Sequence, residues 1–282
     1  MEVMQQNFLD RFNSLLPLPL WIPTPANLRA KRAVRQLDEV IYRIIRQRRQ
    51  ENIDHGDLLS LLLHARDVDD GSVMTDKQLR DEAMTLFLAG HETTALVLSW
   101  AWYLLAQNPE VEAKLLAELD AVLGGRLPTA DDWPRLKFTE WVALESMRLY
   151  PPAYVIGREA IDACVIGGYK VPRGTTMLLP QWVLHRDARF WDDPEAFRPE
   201  RWGAEKIKSL PKFAYFPFGG GPRTCIGNTF AMMELVLILA TIGQRFRFRM
   251  QSGASVTPLP SFTLRPQPGV PGIIEPRSPL AA

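Results

Sequence analysis

The chain has 282 residues, 46% of them hydrophobic and 23% charged, with a formal net charge of +1. That is enough for one sizeable, mostly helical domain, and the near-neutral balance gives no pull toward nucleic acid. Two cysteines, Cys164 and Cys225, are too few for a structural zinc site and fit a reducing compartment, so a cytoplasmic location is expected.

Met1 to Asp10 lacks the basic start and apolar core of a signal peptide. A short N-terminal helix is expected, then a stiff turn region at LLPLPLWIPTPAN, where Pro17, Pro19, Pro23 and Pro25 fix the backbone. From Arg29 to Arg49 eight Lys or Arg residues interleave with Val34, Leu37, Val40, Ile41, Ile44 and Ile45. This pattern predicts an amphipathic helix with a solvated basic face rather than a nucleic-acid arm.

The next segment opens with Thr75 and Gln78 at capping-box spacing and stops at Asn108-Pro109. One helix over 76–107 is predicted, about 48 Å long. In its middle, Ala89-Gly90-His91-Glu92-Thr93-Thr94 breaks an apolar run with a glycine, a charge and two β-branched hydroxyl residues. Gly90 weakens the helix by ~1 kcal/mol relative to Ala, and a threonine hydroxyl can bond back to a carbonyl, so a local widening of the helix is expected here. Its flanks, Leu86, Phe87, Leu88 and Leu96 to Leu98, read as a helix buried nearly all round. Glu92 and Thr93 belong either to a solvated face or to a functional site, with Phe87 and Ala89 as candidate pocket residues. Glu92 also breaks what could otherwise be a membrane span, as Glu234 does in the later apolar helix.

In FTEWVALESMRLYPP, Glu145 and Arg148 stand three apart on one helix face with Trp141 and Leu144. A charge pair on an apolar stripe points to burial. An exposed pair of this spacing would be worth only a few tenths of a kcal/mol. Pro151-Pro152 ends that helix, and Arg158 follows in VIGREA. The run CVIGGYKVPRGTTMLL carries turn signals at Gly167-Gly168 and Pro172-Arg173-Gly174 and reads as a hairpin. Pro199 to Trp202, PERW, lies beyond it.

The most distinctive stretch is FPFGGGPRTCIG, Phe216 to Gly227. Gly219, Gly220, Gly221 and Pro222 bar regular structure and let the backbone pass close to a flat ligand. Arg223 adds a cation two residues before Cys225. A helix is predicted from Ile226, which puts Cys225 at its N-terminal end, where free N–H groups and the dipole favour an anion by roughly 0.3–1 kcal/mol. Three other readings compete. A phosphate loop needs the Gly-Lys-Ser/Thr ending that GGGPRTC lacks. A nucleophilic cysteine wants a histidine base, and none of His55, His64, His91 and His185 is close in sequence. A buried structural cysteine explains neither the three glycines nor the arginine. The tail from Ser252, rich in proline and glycine, allows short strands such as Phe262 to Arg265.

The pattern Phe218-x-x-Gly221-x-Arg223-x-Cys225-x-Gly227 resembles the haem-binding loop of the cytochrome P-450 family. The resemblance implies a mainly α, P-450-like helical fold with small β-sheet regions and a haem b (iron protoporphyrin IX) cofactor. Cys225 would be the iron ligand, Arg223 would pair with a propionate, Phe218 would pack beside the thiolate, and Gly219, Gly221 and Gly227 would permit the close approach. Arg158 is either a second propionate partner or an exposed charge. Glu92 and Thr93 are similar to the family's acid and alcohol pair: Thr93 would hydrogen-bond the distal oxygen and Glu92 would relay protons through water. Glu145, Arg148 and Arg201 are similar to its structural ion network. Thiolate donation favours O–O cleavage.

The resemblance covers nearly the whole chain but begins partway through the family's fold, so an N-terminally truncated fold is expected, with one haem flank exposed. A single domain over 1–282 is expected, with roof helices in 1–74, the long helix in 75–107, and the ion-network helix, hairpin and meander in 138–202. The haem loop and its helix follow in 216–244, and the tail in 252–282. The implied activity is insertion of one atom of O2 into an apolar organic substrate, with electrons from a separate ferredoxin or flavoprotein. The alternative is a truncated, non-catalytic haem-binding or interaction module.

Overall fold

The computed structural model describes residues 18–51 and 53–277, together with Val3, Asn7, Asp10, Arg11 and Ser14. Pro17 and most of the expected N-terminal helix lie outside the described residues. The chain forms two compact units, residues 1–92 and 93–282, and the division falls within one long helix.

The first unit contains α1 (Pro25–Glu51), α2 (Leu58–His64) and the first half of α3 (Asp76–Gln107). The proline-rich turn is held by a buried amide: Asn27 donates from Nδ2 to the carbonyls of Pro19 at 3.1 Å and Ile22 at 2.9 Å. Thr24 Oγ1 accepts the Asn27 N–H at 3.1 Å and so satisfies one orphan donor at the start of α1. Along α1, Arg29, Lys31, Arg32, Arg35, Arg43 and Arg46 form the predicted exposed basic face; of the apolar residues Ile45 is buried, Val34, Leu37 and Ile41 are half-buried, and Val40 and Ile44 are exposed. Arg80 of α3 returns to α1 and donates from Nε to Asp38 at 2.6 Å. At the head of α3 the capping box forms: Thr75 N–H donates to Gln78 Oε1 at 2.9 Å, and Gln78 N–H donates to Thr75 Oγ1 at 3.2 Å.

Helix α3 is α-helical without interruption over all its 32 residues. The expected widening at Ala89 to Thr94 is therefore absent. Hydroxyls that bond back do so without breaking the ladder, as Thr85 does to the Asp81 carbonyl and Ser99 to the Ala95 carbonyl, each at 2.8 Å. Nor is the helix buried all round near Gly90: Phe87, Ala89, Gly90 and His91 are exposed, and Phe87 stacks on His91 one turn later at 6.0 Å between centroids.

In the second unit the rest of α3 packs with α4 (Pro109–Leu123), α5 (Lys137–Leu149) and α8 (Asn228–Arg245). Their buried leucines and valines form the core, including Leu105, Leu115, Leu119, Val142, Leu235 and Leu239. The junctions follow from the sequence. Asn108 donates to the Leu104 carbonyl at 2.7 Å and closes α3, Pro109 opens α4, and Gly124, with φ 56°, ends it. Glu118 of α4 then accepts the N–H groups of Phe138 at 2.6 Å and Thr139 at 2.8 Å, capping α5 from a neighbouring helix.

Among the described residues, four two-stranded antiparallel sheets complete this unit. Strands β1 (Ile156–Glu159) and β4 (Thr176–Leu179) pair, and between them β2 (Cys164–Ile166) and β3 (Tyr169–Val171) form the predicted hairpin. Its turn, Gly167-Gly168, has both φ angles positive, 57° and 85°, as a tight two-residue hairpin requires. Two short helices, α6 (Gln181–Leu184) and α7 (Glu205–Lys208), lie between β4 and the cysteine loop. In the tail, β5 (Phe246–Met250) pairs with β8 (Gly272–Pro276), and β6 (Thr257–Pro260) with β7 (Leu264–Gln267). The strand expected at Phe262 to Arg265 thus starts two residues later, because Ser261 to Thr263 make the turn between β6 and β7.

Candidate functional site

Three backbone bonds shape the cysteine loop. The Gly219 N–H donates to the Phe216 carbonyl at 2.9 Å, the Thr224 N–H to the Gly221 carbonyl at 3.1 Å, and the Cys225 N–H to the Phe218 carbonyl at 2.9 Å. Gly219 and Gly221 adopt φ angles of 73° and 74°, a left-handed backbone that side chains with a Cβ rarely adopt. At Gly220 a Cβ would stand 2.5 Å from the ring of Phe213, so a larger residue there would have to displace that exposed side chain. Gly227 has an ordinary φ of −89°, and a Cβ on it would only touch Cys225 Sγ, at 3.9 Å.

Helix α8 begins at Asn228 rather than at the predicted Ile226, because Ile226 and Gly227 form a turn. Cys225 therefore lies just outside the helix, with its free thiol exposed. Arg223 is exposed on the one-turn helix Gly221–Arg223. Ile226 and Phe230 are also open, at 89% and 64% of full exposure. Phe218, by contrast, packs against the core. A thiol, a cation and the exposed Ile226 thus stand on a braced loop, with Phe230 exposed in the first turn of the helix that follows. This donor set fits a flat apolar macrocycle that carries carboxylates and a central iron.

Behind the loop lies the ion network. Glu145 and Arg148 are both fully buried, and Arg201 is nearly so. The Glu145 carboxylate accepts from Arg148 Nε at 3.0 Å and Nη2 at 2.9 Å, and from Arg201 Nε at 2.9 Å. It also accepts the Arg198 N–H at 3.1 Å and Trp202 Nε1 at 3.0 Å. Arg148 spends its remaining donors on the carbonyls of His185 at 2.9 Å, Pro194 at 2.6 Å and Ala196 at 3.0 Å. A buried charge is tolerable only when satisfied in this way.

The remaining predicted residues stand in varied settings. Glu92 is buried at 9% exposure and Thr93 is half-buried, while Phe87 and Ala89 are exposed. Arg158 is half-buried on β1 and donates from Nη1 to the Gly157 carbonyl at 2.8 Å.

Sequence reasoning missed three contributors: Trp202 as a ligand of Glu145, and the buried pair Gln181 and His185. Gln181 donates from Nε2 to the Phe216 carbonyl, and His185 Nε2 accepts the Phe216 N–H at 3.0 Å. Burial and the neighbouring Arg148 hold the His185 imidazole far below its ordinary range, at about 3, so the ring is neutral. The available signal was two polar residues at i, i+4 in the apolar run LLPQWVLH.

A family model described as Cytochrome P450 matches residues 1–271. Cyclooctatin synthase of Streptomyces melanosporofaciens is 42% identical over 248 residues, which cover 88% of this chain and 54% of that protein. Cyclooctat-9-en-7-ol 5-monooxygenase of the same organism is 42% identical over 235 residues, 83% of this chain and 51% of that protein. The crystal structure of the cytochrome P450DA heme domain superposes with a TM-score of 0.89 at 32% identity, covering 99% of this chain and 60% of that one. The chain spans about half the length of the curated relatives it matches.

Proposed function

Because the chain belongs to the cytochrome P-450 family, we propose that it supplies the haem-thiolate portion of a monooxygenase. The overall reaction inserts one oxygen atom of O2 into an apolar organic substrate, and two electrons and two protons convert the other to water. The observation that carries this reading is the exposed thiol of Cys225 on a braced loop beside Arg223, Ile226 and Phe230. Haem b bound there would supply the iron at which dioxygen is activated, with electron donation from the thiolate favouring O–O cleavage.

The chain's own residues divide the remaining work. Cys225 would hold the iron, and Arg223, with Arg158 as a second cation, would bind propionates by charge-assisted hydrogen bonds. Ile226 and Phe230 would lose exposed apolar surface to the macrocycle, at roughly 25 cal/mol per Å². The Glu92 carboxyl would hold and pass protons, and the Thr93 hydroxyl would orient them by donating and accepting hydrogen bonds. Glu145, Arg148 and Arg201 would keep the loop in shape without touching a reactant. Electrons would come from a separate ferredoxin or flavoprotein.

The test is turnover of the haem-loaded chain with a ferredoxin and its reductase, isotopically labelled dioxygen and a panel of apolar substrates. One labelled atom in the product is expected. Thr93→Ala should keep oxygen uptake while lowering product formed per oxygen consumed several-fold. Product oxygen drawn from water, or unchanged coupling in Thr93→Ala, would contradict the reading.

A further inference from the structure

We propose that Gln181 and His185 form a two-point clamp on Phe216, with His185 the positioning residue that links the Glu145–Arg148 network to the cysteine loop. Both side chains are fully buried, and their i, i+4 spacing puts them on one face of a single helical turn. Together they take both polar groups of one peptide residue: Gln181 donates to the Phe216 carbonyl, and His185 Nε2 accepts the Phe216 N–H at 3.0 Å. Pro180, immediately before the turn, fixes the entry of the chain. With Nε2 accepting, the ring proton sits on Nδ1, a buried atom that makes no hydrogen bond in this structure.

The clamp lies in a continuous line of hydrogen bonds. Arg148 Nη1 donates to the His185 carbonyl at 2.9 Å, so the buried ion network grips the histidine's own backbone. His185 grips Phe216, whose carbonyl accepts the Gly219 N–H at 2.9 Å, and the Phe218 carbonyl accepts the Cys225 N–H at 2.9 Å. The His185 ring also meets Phe216 edge-on at 5.5 Å and Tyr215 at 5.0 Å between centroids, which leaves it little freedom to turn. The arrangement explains why a polar histidine occupies a dry position: without it the buried Phe216 N–H loses its partner.

The two contacts are unequal, and this makes the idea testable. Loss of Gln181 leaves the Phe216 carbonyl with the Gly219 N–H, whereas loss of His185 strands the Phe216 N–H. The inference rests on the haem-loop reading only for the ligand that the loop serves. Hydrogen–deuterium exchange on the full chain, without haem, would compare wild type with His185→Leu, His185→Gln and Gln181→Met. In His185→Leu the segment 213–226 should exchange on the order of 10- to 100-fold faster, while α4 keeps its protection. His185→Gln, whose amide oxygen can accept the same N–H, should recover most of that protection, and Gln181→Met should show the smaller effect. Unchanged protection of 213–226 in His185→Leu would overturn the clamp, as would equal loss across the chain without recovery in His185→Gln. With haem supplied, the carbon monoxide spectrum of His185→Leu should move from the thiolate-type band toward the neutral-ligand band, and His185→Gln should restore it. Wild type that binds no haem would sink the haem reading, while the exchange comparison would still decide the clamp.

Discussion

Glu145 gathers five donors around one carboxylate, so a change there is felt by two arginines and a tryptophan at once. Glu145→Gln leaves two guanidinium groups without their counter-charge and should cost about 3–5 kcal/mol, measurable as a lower urea midpoint. His185 makes a second prediction, with a defined pH window. Its folded pKa, about 3, lies below the ordinary value of 6.5. The unfolded chain therefore binds a proton that the native state refuses, and stability present above pH 6.5 is lost as pH falls toward 3. The slope is about 1.4 kcal/mol per unit. Urea titrations between pH 6.5 and 4.5 should show this loss in wild type and a shallower one in His185→Gln. Equal slopes would mean that the ring is not held neutral by the fold.

The helices meet closely where glycine allows it. Gly243 of α8 faces α4, and a Cβ there would stand 2.9 Å from Leu119 Cδ1. Leu119 is fully buried and cannot swing aside freely. Gly243→Ala should therefore cost about 1–3 kcal/mol by overpacking, despite the higher helix propensity of alanine. In a double-mutant cycle with Leu119→Val the two changes should couple, and additive effects would contradict the contact. At this scale much was legible in advance. Thr75, Gln78, Asn108 and Pro109 marked both ends of α3 because caps and prolines act locally, and Gly167-Gly168 marked the hairpin for the same reason. The Ala89 to Thr94 reading failed because hydroxyl back-bonding does not by itself open a helix. Gln181, His185 and Trp202 were invisible because their partners lie 35, 31 and 57 residues away, and no local pattern encodes such pairings.

Within the second unit, the core reaches the cysteine loop by several routes, two of which run to Phe218 and Phe216. In the first, Phe218 packs on the core; the second is the bonded line from Glu145 through Arg148 and His185 to Phe216. The Cys225 sulfur, the proposed iron ligand, stands at the end of both. Among the described residues no helix is long and apolar enough to cross a membrane. The central proposal is that the Cys225 sulfur holds the iron of a haem, and the most direct test is the reduced carbon monoxide difference spectrum of the haem-supplied chain beside Cys225→Ser. The account predicts a strongly red-shifted Soret band in wild type that Cys225→Ser abolishes. A chain that takes up no haem, or a Cys225→Ser variant with the wild-type spectrum, would contradict it.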